Sequence, residues 1–138
     1  MNFPIIGRWL ARLLVTAVFL VNVQCALTFL VGPAGYAYSL ELTGTAGLYF
    51  IRAMGILFLM WNATYPPVIL RPSKYRLLFG VVLAQQVIGL AGESLLLASL
   101  PPSHTVLAST GARFIFFDTL ALVGLAAAFL LSRPAARS

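Results

Sequence analysis

Charge is what this sequence has least of. Only 9 % of its 138 residues are charged, and three of them are acids, Glu41, Glu93 and Asp118. An ordinary soluble domain is about one quarter charged. So few ionic groups cannot clothe the surface of a water-soluble globule of this length, and that class is excluded. Cysteine is almost absent: Cys25 stands alone, so no disulfide closes within the chain. His104 is the single histidine and has no second histidine or cysteine at ligand spacing, so no metal is expected. Ser94 and Ser99 lack a histidine-based triad, which removes the usual hydrolase chemistry.

Apolar residues fill the space that charge leaves. They make up 61 % of the chain, at a mean hydropathy of +0.98. They fall in four runs, at about 9–31, 46–65, 77–100 and 114–131. The runs stop at Gly32-Pro33, at Pro66-Pro67, at Pro101-Pro102 and before Pro134. Proline has no backbone N–H and restricts the residue before it, so it predicts a helix end. A helix of about 20 residues spans roughly 30 Å, the thickness of the hydrocarbon core. Lipid offers the backbone no hydrogen-bond partner, so spans of this kind are helical, and unbroken apolar runs do not suit a barrel. Short connections place successive helices side by side and antiparallel. The expected architecture is all-α: one domain over residues 1–138, an integral membrane antiparallel bundle of four transmembrane helices. Arg8 and Arg12 precede the first run as in a signal peptide, but the run is too long for a signal h-region. Nor does Asn22-Val23-Gln24 before Cys25 fit a lipoprotein cleavage site. The first run is therefore read as a retained helix. The connection 32–45 carries Tyr36 and Tyr38 at belt positions and has room for a short interfacial helix. Trp9, Trp61 and Tyr65 read as anchors of the opposite belt.

The net charge of +6 does not imply nucleic acid, because the cations form no stripe and sit at the ends of the apolar runs. Arg8, Arg12, Arg71, Lys74, Arg76, Arg133 and Arg137 share one side of a four-span topology, against Arg52 and Arg113 on the other. That bias places both termini (N-in, C-in) on the cytoplasmic side of a membrane, taken to be the bacterial cytoplasmic membrane. Basic residues there also suit an anionic lipid surface.

The acids fall toward the other side. At 1.5 Å per residue, Arg52 lies roughly 9 Å in from the start of the second run, Glu93 about 10 Å in from the end of the third and Asp118 about 6 Å in from the start of the fourth. An unpaired charge near a helix centre costs about 2.5 kcal/mol or more, so Arg52 is expected to pair with Glu93 or Asp118. Arg52, Gly55, Leu59 and Asn62 share one helical stripe, and Gln86, Gly89 and Glu93 another. The two stripes are expected to face each other, with glycine allowing close approach and with Asn22 and Cys25 adding to the same interior. Candidate ligand-binding residues are then Arg52, Glu93, Asp118, Arg113, Gln86 and Asn62. The cluster is either a structural ion pair that sets helix register or the lining of a pocket for a polar head group, a quinone-like ring or a proton path. The adjacent amides Gln85 and Gln86 cannot serve one partner. Gly80-x-x-x-Ala84 and Gly124-x-x-x-Ala128 match a small-xxx-small pattern, expected to pack within the bundle.

The run Gly47-Leu48-Tyr49-Phe50-Ile51-Arg52-Ala53-Met54-Gly55 continues as apolar helix to Asn62 and ends at Tyr65-Pro66. An arginine near a helix start, then a glycine and an apolar run, resembles the DoxX-like group of small four-helix bacterial membrane proteins. Arg52 and Gly55 are the matching positions. The resemblance implies a four-helix membrane bundle and, from some members, an association with quinone-dependent redox complexes. The expected function is that of an accessory subunit or a lipid- or quinone-binding protein, within a membrane complex or a homo-oligomer. A small transporter is the alternative. An enzyme acting on a lipid-soluble substrate comes third, with Glu93 or Asp118 as acid or base and Arg52 as anion clamp.

Overall fold

The structure, a computed structural model, describes residues 3–133. Pro134 and the basic residue Arg137 lie outside the described residues, but the last helix does end at Leu131, before that proline. Within them every regular element is a helix: α1 Phe3–Val31, α2 Ala34–Ala37, α3 Gly44–Asn62, α4 Tyr65–Leu70, α5 Arg76–Ser99 and α6 Thr105–Leu131. Four stretches are long and apolar enough to cross a membrane: Ile5–Val31, Gly44–Leu70, Arg76–Ser99 and Thr105–Leu131. The chain is thus a multi-pass helical membrane protein.

Two boundaries differ from the expected ones for physical reasons. The second span does not stop at Pro66-Pro67. After a short break at Ala63 and Thr64 it resumes as α4, with the prolines in the first turn. A missing N–H costs nothing there, because the first turn of a helix has no acceptor for it. The fourth helix starts at Thr105, well before 114. Within the polar stretch in between, Thr110 satisfies its hydroxyl on the Val106 carbonyl at 3.1 Å, so this side chain does not interrupt the helix. Hydropathy marks the part of a helix that lipid covers, and this helix is longer than that part. The connection 32–45 does hold a short helix, α2.

Helix α1 is central: it packs on α3 and α6 and touches α4, while α5 packs mainly on α6. The start of α1 meets the end of α6, where a Cβ on Gly7 would lie 3.2 Å from the Leu131 carbonyl. Arg12 donates to the carbonyl of Leu70, the last residue of α4. At the other end the loop residue Glu41 contacts His104, just before α6. Two apolar clusters result. Near α4, Ala11, Val15, Tyr65, Val68, Phe79, Val82, Leu125 and Ala128 are fully buried together. Near α2, Phe29, Leu40 and Ile51 gather Tyr36, Phe58 and Phe114 around them. The outer surface is apolar as well, with Leu13, Leu57, Leu77, Ile88 and Leu95 all exposed, as a lipid-facing surface requires.

Close helix approach does not use the small-xxx-small pairs. A Cβ on Gly80 or Gly124 would meet nothing within 4 Å. Gly55 carries the close contact instead: a Cβ there would lie 2.8 Å from the Ala26 carbonyl oxygen and 3.1 Å from the Phe29 Cβ. The α1–α3 interface is therefore a backbone-to-backbone approach that only glycine permits.

Candidate binding cavity

Between the two apolar clusters, each long helix turns polar residues inward at a similar level. They surround a cavity of about 330 Å³. Asn22, Gln24, Cys25 and Thr28 come from α1, Asn62 from α3, Gln86 and Glu93 from α5, and Asp118 from α6. Aromatic side chains complete the wall: Tyr36, Phe58, Trp61, Phe114 and Phe117. The size falls within the range of small-molecule sites, roughly 300–1,000 Å³, and so does the mixture of apolar wall and a few convergent polar groups.

Each polar group is placed by its helix. On α3 the buried residues are Gly47, Ile51, Gly55 and Asn62, one stripe against α1. The Asn62 amide donates to the Phe58 carbonyl at 2.7 Å, which fixes the side-chain orientation. On α5, Gln86 is buried and donates to the Asp118 backbone carbonyl at 3.2 Å, tying α5 to α6. The Glu93 and Asp118 carboxyl groups approach each other closely enough to interact. Asp118 lies thirteen residues after Thr105, so about 20 Å along α6. It is a mid-helix group, farther from the helix start than the 6 Å expected from the sequence. The earlier start of α6 accounts for the difference.

Three buried polar atoms of lining residues have no hydrogen-bond partner: Trp61 Nε1, Asn62 Oδ1 and Glu93 Oε2. Buried polar groups are nearly always paired, because leaving one bare costs on the order of 1–3 kcal/mol. Their concentration here marks a place where the protein by itself is incomplete.

The structure brings Asn62, Gln86, Glu93 and Asp118 around one cavity, and Asn22 and Cys25 with them. It does not bring Arg52 or Arg113. Arg52 is exposed, and among the described residues it forms no ion pair with Glu93 or Asp118. Its neighbour Ile51 is the buried residue, and one residue turns the helix by about 100°. Gly55 and Asn62 keep the inward stripe, and Arg52 lies off it. Arg113 is also exposed and reaches Thr110 Oγ1 at 3.4 Å, on its own helix. The facing of the two stripes is indirect: α3 and α5 meet where Trp61 lies against Gly89, whose Cβ would fall 2.6 Å from the ring. Trp61 is therefore part of the cavity wall and not an interfacial anchor. The two adjacent amides serve different neighbours: Gln86 holds α6, and Gln85 accepts from Thr64 Oγ1 at 3.2 Å.

His104 is not alone. It pairs with Glu41, which also accepts from the Leu107 backbone N–H at 3.4 Å. Their separation of 63 residues hid the pair from any spacing rule. Glu41 has a left-handed backbone, φ 55°, unusual for a residue with a side chain and held here by these contacts. The hydrogen bond from His104 draws the Glu41 carboxyl below its ordinary value of 4.5. A lowered carboxylate adds stability above the unfolded value, and that stability is lost as pH falls through the folded value. The thermal stability of the wild type should therefore drop as pH falls below 4.5. Glu41→Gln should shrink the acid drop, which melting curves across pH would read. An unchanged acid limb would remove the link.

No protein-family model, curated protein or solved structure matches this chain.

Proposed function

We propose that this protein binds a lipid-soluble molecule with a polar end inside its helix bundle. The observation that carries the reading is the cavity inside the bundle, walled by aromatics and holding unpartnered polar atoms. The aromatic wall suits the apolar body of a molecule dissolved in the bilayer, and a lipid or a quinone is of this kind. In this reading the bundle is antiparallel and sits in the bacterial cytoplasmic membrane. Its termini and the basic connection 71–76 lie on the cytoplasmic side, and the α2 end faces outward. The DoxX-like resemblance fits an accessory role of this sort, within a membrane complex or a homo-oligomer. A small transporter is a second reading, favoured by the Glu93–Asp118 pair within the spans, because ionisable groups inside spans often mark a pathway.

The experiment is copurification. Protein extracted with its native lipid is unfolded, and the released small molecules are identified by mass spectrometry. The expected result is one compound enriched over bulk lipid. It should persist with Cys25→Ala and be lost with Cys25→Phe, which puts a ring into the cavity. The same lipid profile from both variants would contradict the reading.

A further inference from the structure

We infer that the ligand of this cavity is a lipophilic organic cation, a protonated amine on an apolar body, held by Glu93, Asp118 and Asn62. The inference rests on the binding function proposed above and narrows it to one ligand class.

The first observation is the charge of the lining. It contains two carboxyl groups and no lysine, arginine or histidine. Both arginines in the same half of the sequence pattern, Arg52 and Arg113, are exposed on the outside of their helices. Nothing in the cavity offers a counter-charge to an anionic head group. A carboxylate inside a span is costly unless paired. Among the charged groups of the lining the two carboxyl groups have only each other, and a bound cation supplies the counter-charge that the fold itself does not.

The second observation is independent of charge. Asn62 is only 4 % exposed, and its Oδ1 has no partner. Its orientation is not open, because Nδ2 is spent on the Phe58 carbonyl. Glu93 Oε2 is likewise buried and unpartnered. The Asn62 oxygen is an acceptor, and so is the Glu93 oxygen when its carboxyl is ionised, so what completes them must donate. An ammonium group presents several N–H donors in one place. A fully substituted quinone presents only acceptors and would leave both oxygen atoms bare. The third orphan, Trp61 Nε1, is a donor, so a ligand that completes all three atoms carries one acceptor beside its N–H groups.

The third observation is the wall. Phe58, Phe114, Phe117 and Trp61 surround the acids with ring surface. The negative faces of aromatic rings attract cations, most strongly away from water. The same rings take up the apolar body of the ligand. Gln86 stands beside the acids, with its amide nitrogen donating to the Asp118 backbone carbonyl.

The test uses the full chain in nanodiscs of zwitterionic lipid, with empty nanodiscs as the partition control. Three probes of similar body are titrated calorimetrically: 1-naphthylmethylammonium, 1-naphthylmethanol and 2,3-dimethyl-1,4-naphthoquinone. The ammonium probe should bind at least about tenfold more tightly than either neutral probe, as hydrogen bonds to a charged group require. Glu93→Gln and Asp118→Asn should each weaken the ammonium probe by about tenfold and leave the alcohol within about twofold. Unchanged alcohol binding also shows that the variant is folded. Where a variant loses both probes, Asn62→Leu provides the second readout and should weaken the ammonium probe more than the alcohol. If the quinone or the alcohol binds as tightly as the amine, the cavity is a binding site but the ligand class is wrong. If no probe binds above the empty-disc control, both this inference and the binding function fall.

Discussion

Gly55→Leu should abolish the folded bundle, and Gly55→Ala should lower the unfolding free energy by about 1–3 kcal/mol. At this position α3 lies so close to α1 that even a methyl group would meet the Ala26 carbonyl oxygen at 2.8 Å. The obstacle is backbone with the Phe29 and Leu30 side chains beside it, so no flexible chain end can swing away. The strain can be relieved only by moving two helices apart, and Phe29 and Ile51 in the α2-end cluster depend on their contact. Gly80→Ala and Gly124→Ala are the controls. Both positions are open, so each should change stability by no more than about 0.5 kcal/mol, and alanine's better helix propensity favours a small gain. Thermal melting of purified protein in detergent measures all four. The sequence pattern alone, small-xxx-small at Gly80 and Gly124, points to the opposite ranking. A loss at Gly124 as large as at Gly55 would show that the helix contacts are misassigned.

Arg76→Ala should cost about 1–3 kcal/mol, from the loss of hydrogen bonds to a charged group and of a cation–π contact. Arg76 opens α5, and its guanidinium lies 3.9 Å from the centre of the Phe129 ring. The same group donates to the Phe129 carbonyl at 3.1 Å and to Ser132 Oγ at 3.2 Å. Ser132 is fully buried, and its backbone N–H closes α6 on Ala128. One side chain thus caps the carbonyl end of α6 and ties it to the first turn of α5. Arg76→Lys keeps the charge but cannot stack its planar face or present the fork, so it should recover less than half of the loss. Full recovery by lysine in the same melting assay would reduce Arg76 to a positive charge at a membrane boundary.

The spans were legible because each is long, apolar and bounded by proline, and lipid leaves the backbone no other solution. Where the outline failed, it failed on local chemistry. Pro66-Pro67 looks like a stop in one dimension, yet the first turn of α4 tolerates it. Helix α6 runs through a stretch that hydropathy assigns to a loop, with the Thr110 hydroxyl satisfied on its own helix. The polar lining was half legible. Asn22, Asn62, Gln86, Glu93 and Asp118 stand out because amides and acids are rare in apolar runs. The Arg52 pairing was not legible: a depth estimate fixes level along a helix but not direction around it. One residue of rotation separates buried Ile51 from exposed Arg52. Trp61 was misread for the same reason. Its place beside Gly89 depends on which helices adjoin, and a single sequence does not encode that in any local signal. The Glu41–His104 pair joins two connections, and only the folded chain brings them together.

The most direct test of the account is a high-resolution experimental structure of protein extracted gently with its native lipid, inspected between Asn62, Glu93 and Asp118. Non-protein density is predicted in the cavity, with a polar end touching Glu93 Oε2 and Asn62 Oδ1 and its body against Phe58, Phe114 and Phe117. A closed interior would contradict the account: no cavity, and the Asn62 and Glu93 oxygen atoms paired to protein groups.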